Sequence, residues 1–262
     1  MRIHVGNDPI YAYTGSHSPE PGLPSVVFVH GAANDHSVFA LQSRYFAYHG
    51  RNVYAVDLPG HGRSEGDALP SVEALADWIG AFLDAVQAEK AALVGHSLGS
   101  LAVLEAAARF PARIAKIALL GSAVPMAVGD DLMAAAHAND HVAFELINGW
   151  SHSAARQLGG NPFPGVWMTG SAMRLLERTR SGVLYADLAA CRDYANGLAA
   201  AAATRAPALV VLAARDIMAP PKFAQALVDA LADVRVVTLS GCGHAMMSEQ
   251  PDAVLDALRE FL

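Results

Sequence analysis

Cysteine and charged residues are both scarce in this 262-residue chain. It contains two cysteines, and only 16% of its residues are charged. Cys191 and Cys242 lie far apart, which predicts two reduced thiols rather than a disulfide framework. The net charge is −7. The chain therefore lacks the basic excess of a nucleic-acid-binding protein, and we expect no nucleic-acid partner.

Long hydrophobic runs are also missing. No segment approaches the roughly 20 consecutive apolar residues that a membrane span needs. Asp8 and Pro9 interrupt the first residues before an apolar run develops, so we expect no signal peptide. Hydrophobic residues nevertheless make up 53% of the chain, a proportion typical of a compact globular enzyme. The composition predicts a soluble, cytoplasmic protein, either a monomer or a homodimer.

Short apolar segments alternate with helical patterns. Several of the apolar segments show no polar alternation, as expected of strands buried on both faces of a parallel sheet. The expected strands are residues 26–29, 52–56, 91–94, 114–120, 208–213 and 234–239. The expected helices are residues 38–48, 71–88, 98–110, 220–232 and 251–262, and residues 1–25 are expected to hold a strand pair. This order predicts an α/β fold with a doubly wound, mostly parallel sheet.

Residues 123–205 interrupt the alternation. This segment of roughly 80 residues is too long for one crossover connection, and its pattern is mostly helical. We interpret it as a helical cap inserted over the carboxyl edge of the sheet. The predicted core domain then comprises residues 1–122 and 206–262.

The segment from Gly95 to Gly99 contains the pattern G-x-S-x-G between an expected strand and an expected helix. Such a turn holds its serine, here Ser97, in a strained conformation, so the neighbouring glycines avoid collisions with the strand and the helix. The turn also brings the hydroxyl beside a helix N-terminus, where a developing negative charge is stabilised. Ser97 is therefore a candidate nucleophile.

A serine hydroxyl needs an adjacent base, and that base needs an acid to orient it. Asp216 follows the expected strand 208–213, and His244 follows the expected strand 234–239. Both positions lie at the carboxyl edge of a parallel sheet, where ligands gather. The expected strand 114–120 is followed by Gly121-Ser122-Ala123, so no rival acid occurs there. Ser97, Asp216 and His244 are the predicted triad.

An oxyanion hole is predicted beside this serine. The expected strand 26–29 runs into His30 and Gly31, so the backbone N–H of Ala32 can face Ser97. The N–H of Leu98 would be the second donor. Two such donors stabilise the tetrahedral oxyanion of acyl transfer.

Together these motifs resemble the α/β-hydrolase fold superfamily, and specifically its capped, bacterial serine esterase and lipase-like members. The matching segments are His30-Gly31-Ala32, Asp57-Leu-Pro-Gly-His-Gly-Arg-Ser64, Gly95-His-Ser-Leu-Gly99, Asp216 and Gly243-His244. The resemblance implies that Ser97 is the nucleophile, His244 the base and Asp216 its orienting acid, without a cofactor. It disfavours haloalkane dehalogenases and epoxide hydrolases, which use aspartate at the elbow. Ser100 departs from the glycine that many relatives have.

The expected reaction is hydrolysis of a small or medium, largely apolar carboxylic ester. Three alternatives stay open: cleavage of a carbon–carbon bond in a meta-cleavage product, hydrolysis of a lactone, and a non-catalytic role as a small-molecule receptor. An acidic substrate would need arginines from the cap. The candidates are Arg156, Arg174, Arg178, Arg180 and Arg192.

Large apolar side chains are candidates for lining the substrate pocket. They are Phe39, Phe144, Trp150, Phe163, Trp167, Met168, Met173, Ile217, Met218 and Met246. His137, His141 and Glu145 recur at a spacing of four residues, which can present metal ligands on one helix face. We interpret them as a polar helix face and expect no metal.

Overall fold

A central eight-stranded sheet organises the computed structural model, which describes residues 1–159, 161 and 165–262. Its strands are β1 (Arg2–Val5), β2 (Asp8–Tyr13), β3 (Ser25–Val29), β4 (Asn52–Val56), β5 (Ala91–His96), β6 (Ile114–Leu120), β7 (Ala208–Ala213) and β8 (Val234–Leu239). The spatial order is β1-β2-β4-β3-β5-β6-β7-β8. The strands from β3 to β8 pair in parallel, and the β1–β2 hairpin joins the sheet antiparallel to β4. The predicted mostly parallel sheet is confirmed.

Helices cover both faces of this sheet. They are α1 (Ala40–Ala47), α2 (Val72–Ala85), α3 (Leu98–Arg109), α10 (Gln225–Ala230), α11 (Met246–Glu249) and α12 (Pro251–Phe261). Val27 and Val29 of β3 belong to the core on the α2 and α3 side, whereas Val26 and Phe28 belong to the core on the α1 and α12 side. Burial on both faces explains why the strand sequences are apolar without alternation.

Two predicted helices are shorter or interrupted. The segment predicted at 38–48 begins as a 3₁₀ turn, His36–Phe39, before α1. The segment predicted at 220–232 is a 3₁₀ turn, Pro221–Phe223, followed by α10. By contrast, α2 begins as predicted, because Ser71 caps it by accepting a hydrogen bond from the N–H of Ala74 at 3.2 Å.

The segment between β6 and β7 is helical where it is described. Its helices are α4 (Asp130–His137), α5 (His141–Ser151), α6 (Ala154–Gln157), α7 (Met168–Leu176), α8 (Val183–Asp193) and α9 (Gly197–Ala203). Residues of α4, α5, α7 and α8 form a small apolar core of their own. The last helix, α9, packs against α3 and α10 of the main body. None of the described helices is both long and apolar enough to cross a membrane.

Candidate active site

Ser97 lies on a sharp turn between β5 and α3, with backbone angles φ 53° and ψ −121°. A positive φ is strained for a residue with a side chain. The two flanking glycines make the turn sterically possible. A Cβ on Gly95 would lie 2.2 Å from the carbonyl oxygen of Gly99, and one on Gly99 would lie 2.3 Å from that of Val29. No larger residue fits at either position without moving backbone.

Hydrogen bonds hold the strained turn in place. The N–H of Ser97 donates to the carbonyl of Leu120 in β6 at 2.9 Å. The carbonyl of Ser97 accepts from the N–H of Ser100 at 2.8 Å and from its hydroxyl at 2.6 Å. Ser100, the departure from the usual glycine, therefore adds a side-chain bond to the turn.

His244 and Asp216 meet at the carboxyl edge of the sheet, both buried. Nδ1 of His244 lies 2.7 Å from Oδ2 of Asp216. Oδ1 of Asp216 accepts from the N–H groups of Met218 and Ala219 at 2.9 and 2.8 Å. Burial raises the pKa of Asp216, but the charge of His244 and these hydrogen bonds outweigh burial, so its pKa lies below the usual value. An ionised Asp216 holds the proton of His244 on Nδ1 and leaves Nε2 as the basic nitrogen.

The basic nitrogen of His244 is free within the described part of the chain: Nε2 is buried and has no hydrogen-bond partner there. His244 and Ser97 line the same cavity. The cavity wall therefore carries both the unbonded Nε2 of His244 and the hydroxyl of Ser97 on its strained turn.

Two neighbours, His96 and Gly121, lie against His244. Nε2 of His96 donates to the carbonyl of His244 at 3.0 Å, and the two rings lie 4.7 Å apart. Burial and the charge of His244 lower the pKa of His96 to about 3, so His96 is neutral. Gly121, with φ +58°, lies under the ring, and a Cβ there would be 3.1 Å from Cε1 and Nδ1 of His244.

A buried carboxylate connects the histidine loop to the helical segment. Glu249 accepts from the N–H of Ser153 at 2.8 Å and from its hydroxyl at 2.7 Å. Next to it, the N–H of Ala245 donates to the carbonyl of Ser151 at 2.8 Å. These partners lie about 95 residues apart in the chain, since 96 separate Glu249 from Ser153. No local pattern could have identified them.

The loop after β3 approaches the serine closely. A Cβ on Gly31 would lie 3.0 Å from Cβ of Ser97, so a larger residue would press on the serine turn. Ala32 lines the cavity beside Ser97. Among the described residues, neither the N–H of Ala32 nor that of Leu98 donates to a protein acceptor. Both predicted donors are thus available.

The cavity over Ser97 has a volume of about 870 Å³. Of the predicted pocket residues, Trp150, Met168, Ile217 and Met218 line it. Four others do not and are removed from the pocket: Phe39 packs on Phe28 in the core, Met246 is fully buried there, Phe144 packs within the helical segment, and Trp167 lies largely exposed over Gly170. Met173 also lies outside this lining, and Phe163 lies outside the described residues.

Possible metal ligands among the described residues contact one another or other protein groups in two places. In the described ranges, one group of three candidate ligands comes together: Asp35, His36 and Asp57. Oδ1 of Asp57 accepts from the backbone N–H of His36 at 2.8 Å and lies 2.7 Å from its Nδ1. The helix-face histidine His141 instead contacts Glu145 and Glu177. Burial raises the pKa of the Cys242 thiol to about 12, so this cysteine is neither a thiolate ligand nor a nucleophile.

Comparison with known proteins shows which proteins this chain resembles. A model of the alpha/beta hydrolase family matches residues 26–257. The chain is 30% identical over 252 residues to a pimeloyl-[acyl-carrier protein] methyl ester esterase of Xanthomonas campestris pv. campestris, covering 91% of this chain and 95% of that one. It is 27% identical to esterase YbfF of Escherichia coli, covering 90% and 92%.

Among solved structures, the enol-lactonase from Burkholderia xenovorans LB400 has a similar fold. Its TM-score is 0.87 at 21% sequence identity, over 100% of this chain and 99% of that chain. The family match spans the elbow, both later strand ends and the helical segment between them. The chain therefore belongs to the alpha/beta hydrolase family.

Proposed function

We propose that this chain is a serine esterase that cleaves a small or medium, largely apolar ester through an acyl-enzyme on Ser97. The relatives named above as esterases support the class, a carboxylic ester hydrolase. One observation carries the finer proposal: His244, bonded to Asp216 at 2.7 Å, has an unengaged Nε2 in the cavity that contains Ser97.

In this mechanism, Nε2 of His244 takes the proton of Ser97 as the hydroxyl attacks the ester carbonyl. The N–H groups of Ala32 and Leu98 hold the oxyanion, and losing one such donor costs about 3 kcal/mol in comparable enzymes. The imidazolium then protonates the leaving alcohol. A water molecule, deprotonated by the same nitrogen, then attacks the acyl carbonyl, and the imidazolium returns the proton to Oγ of Ser97 as the acid leaves. Asp216 stabilises the imidazolium in both steps.

The cavity favours an apolar substrate. Its volume of about 870 Å³ lies near the upper end of the range for small-molecule sites. Apolar side chains line it from several elements, including Met126, Leu132, Ile147, Leu175 and Leu188. An apolar acyl chain of medium length fits such a lining better than a polar acyl group does.

Two of the five candidate cap arginines lie on the cavity wall, each near a protein carboxylate. Arg174 and Arg178 line the cavity. Arg174 already pairs with Glu177 at 2.8 Å, and Arg178 lies 3.8 Å from Asp35. The two arginine side chains are 75% and 66% exposed, and ion pairs at exposed sites are weak, so both guanidinium groups stay accessible to a substrate carboxylate. Cleavage of an acidic dienoate by a carbon–carbon hydrolase therefore stays the alternative to hydrolysis of a neutral ester.

The test is hydrolysis of p-nitrophenyl esters from acetyl to dodecanoyl by wild type, Ser97→Ala and Ser171→Ala. Ser171 also lines the cavity and is exposed, so it controls for loss of a serine hydroxyl there. We expect wild type and Ser171→Ala to show chain-length-selective turnover, and Ser97→Ala to lose about a millionfold in kcat. Ester turnover by Ser97→Ala near the wild-type rate would refute the mechanism. If the wild type does not cleave these esters but does cleave a dienoate or a lactone, that compound class replaces the ester as the proposed substrate.

A further inference from the structure

A buried pair of charged side chains connects α8 to the loops at the carboxyl edge of the sheet. Asp187 of α8 and His61, in the loop after β4, have side chains 4% and 3% exposed. Oδ2 of Asp187 lies 2.8 Å from Nε2 of His61. The same oxygen accepts from the backbone N–H of Ala33 at 2.8 Å. One carboxylate oxygen thus binds two donors that lie 126 and 154 residues away in the chain.

Ala33 has a backbone conformation that needs external support. Its φ is +54°, in the left-handed region that disfavours a residue with a Cβ. Both of its polar backbone groups bind residues from the segment between β6 and β7. Its N–H donates to Asp187, and its carbonyl accepts from the hydroxyl of Thr179 at 3.1 Å. The helical segment therefore holds Ala33 in this conformation.

The proposed oxyanion donor, the N–H of Ala32, belongs to the peptide between Gly31 and Ala32. The carbonyl of Gly31 accepts from Nδ1 of His30 at 2.8 Å and from the N–H of Asn34 at 3.3 Å. In a trans peptide the N–H points opposite to the carbonyl, so these bonds direct the N–H of Ala32. The next peptide is fixed by the bond from the N–H of Ala33 to Asp187, and the one after it by the bond from Thr179 to the carbonyl of Ala33. Hydrogen bonds thus orient three successive peptides.

His61 and Asp187 form a pair of opposite charges. Nδ1 of His61 donates to the carbonyl of Pro59 at 2.9 Å, and its Nε2 donates to Asp187, so both nitrogens carry protons. Burial lowers the pKa of His61, but the charge of Asp187 and the bond to it outweigh burial and raise it above the usual value. His30, 4.9 Å away, stays neutral, because burial lowers its pKa to about 4 and its Nε2 accepts from Leu58. Asp57 adds a further negative charge nearby.

We propose that Asp187, paired with His61, is a positioning residue that orients the N–H of Ala32 towards the oxyanion. The orientation of this N–H then depends on the position of α8, which carries Asp187. The inference rests on the proposed ester hydrolysis. Asp187 is not among the described residues that line the cavity over Ser97. It acts through the backbone of Ala33, so its loss disturbs the transition state more than substrate binding.

The test compares Asp187→Ala and Asp187→Asn with Asp193→Ala, a control on the same helix whose carboxylate is 69% exposed. Four quantities are measured: kcat and KM for a p-nitrophenyl ester, the inhibition constant of an alkyl trifluoromethyl ketone, and the thermal midpoint. The ketone forms a tetrahedral adduct with the serine and so reports on the oxyanion hole.

We expect Asp187→Ala to lower kcat about 10- to 100-fold, less than or equal to the loss of a whole oxyanion donor. KM should stay within about threefold, and ketone inhibition should weaken in parallel with kcat. Asp187→Asn should fall between Asp187→Ala and wild type, because its amide oxygen still accepts from Ala33 but without charge. Asp193→Ala should match wild type.

Two results would overturn the inference. In the first, Asp187→Ala and Asp187→Asn lower the thermal midpoint but leave kcat and ketone inhibition at the level of the control. In the second, KM rises while kcat is unchanged. If Asp187→Ala does not fold, the nearly isosteric Asp187→Asn decides by the same criteria. Wild-type protein without Ser97-dependent ester turnover would instead refute the proposed function and, with it, this inference.

Discussion

Gly121 lies against the imidazole ring of His244, the proposed general base, and Gly121→Ala tests whether this close approach sets the position of the ring. The substitution has two consequences. At φ +58° an alanine pays the cost of a left-handed backbone, about 1–2 kcal/mol. Its Cβ would also lie 3.1 Å from two atoms of the ring, which is about 0.3 Å inside an ordinary contact distance of 3.4 Å.

The second consequence predicts the effect on the rate. The ring must move by about 0.3 Å, because Gly121 follows a buried strand and its N–H is bonded to Val211. Scaling from about 100-fold per 1 Å of misplacement gives roughly a fourfold loss. We therefore expect Gly121→Ala to lower kcat about fourfold with little change in KM.

Gly6 offers a matched control. Its φ is +61°, and a Cβ there would meet no atom within 4 Å. Gly6→Ala should cost the same 1–2 kcal/mol in the free energy of unfolding but leave kcat unchanged. The assay is p-nitrophenyl ester turnover together with urea unfolding of both variants. Equal kcat in the two variants, within twofold, would refute the argument that Gly121 holds the ring of His244.

Two further predictions concern buried carboxylates. Asp216→Asn should lower kcat about 10⁴-fold in the same ester assay, because the amide favours the wrong tautomer of His244; a loss under tenfold would contradict Asp216 as the orienting acid. Glu105, buried in α3, accepts from Tyr194 at 2.6 Å and Asn196 at 2.9 Å, and Arg109 binds it at 2.8 Å. Burial raises the pKa of Glu105, but these bonds outweigh burial and lower it. Glu105→Gln should therefore cost about 2 kcal/mol in urea unfolding at pH 7. Because the folded pKa is depressed, this difference should be complete above pH 4.5 and shrink as the pH falls through the folded value. A difference that does not change down to pH 3 would contradict the assignment.

Much of the fold could be predicted because its signals are local. The strand that ends at Val29 is buried on both faces, so its run of apolar residues already indicates a parallel sheet. The glycines at 95 and 99 are required by collisions with nearby backbone, and this requirement appears in the sequence as a short motif. Both strand ends that carry Asp216 and His244 lie where the alternation of elements predicts them.

The pocket could not be predicted in the same way. Phe39 and Trp150 are both large and apolar, yet Phe39 packs in the core whereas Trp150 lines the cavity. Composition and spacing are the same for core and pocket residues, because both classes bury apolar surface. The difference depends on how the helices between β6 and β7 lie over the sheet. The division into a core and a cap at residues 123 and 205 also stays a prediction, and α9 packs on the main body.

By itself, the sequence determined the order of strands and helices, the strained turn at Ser97 and the three strand ends that meet at one edge of the sheet. These features follow from hydrophobic periodicity and from backbone sterics over a few residues, which any local stretch of chain records. Only the tertiary structure decided which groups support the site. Asp187 reaches Ala33 and His61, His96 reaches the carbonyl of His244, and Gly121 lies beneath its ring. Those contacts join residues far apart in the chain, and their geometry exists only once the sheet and the helices over it have packed.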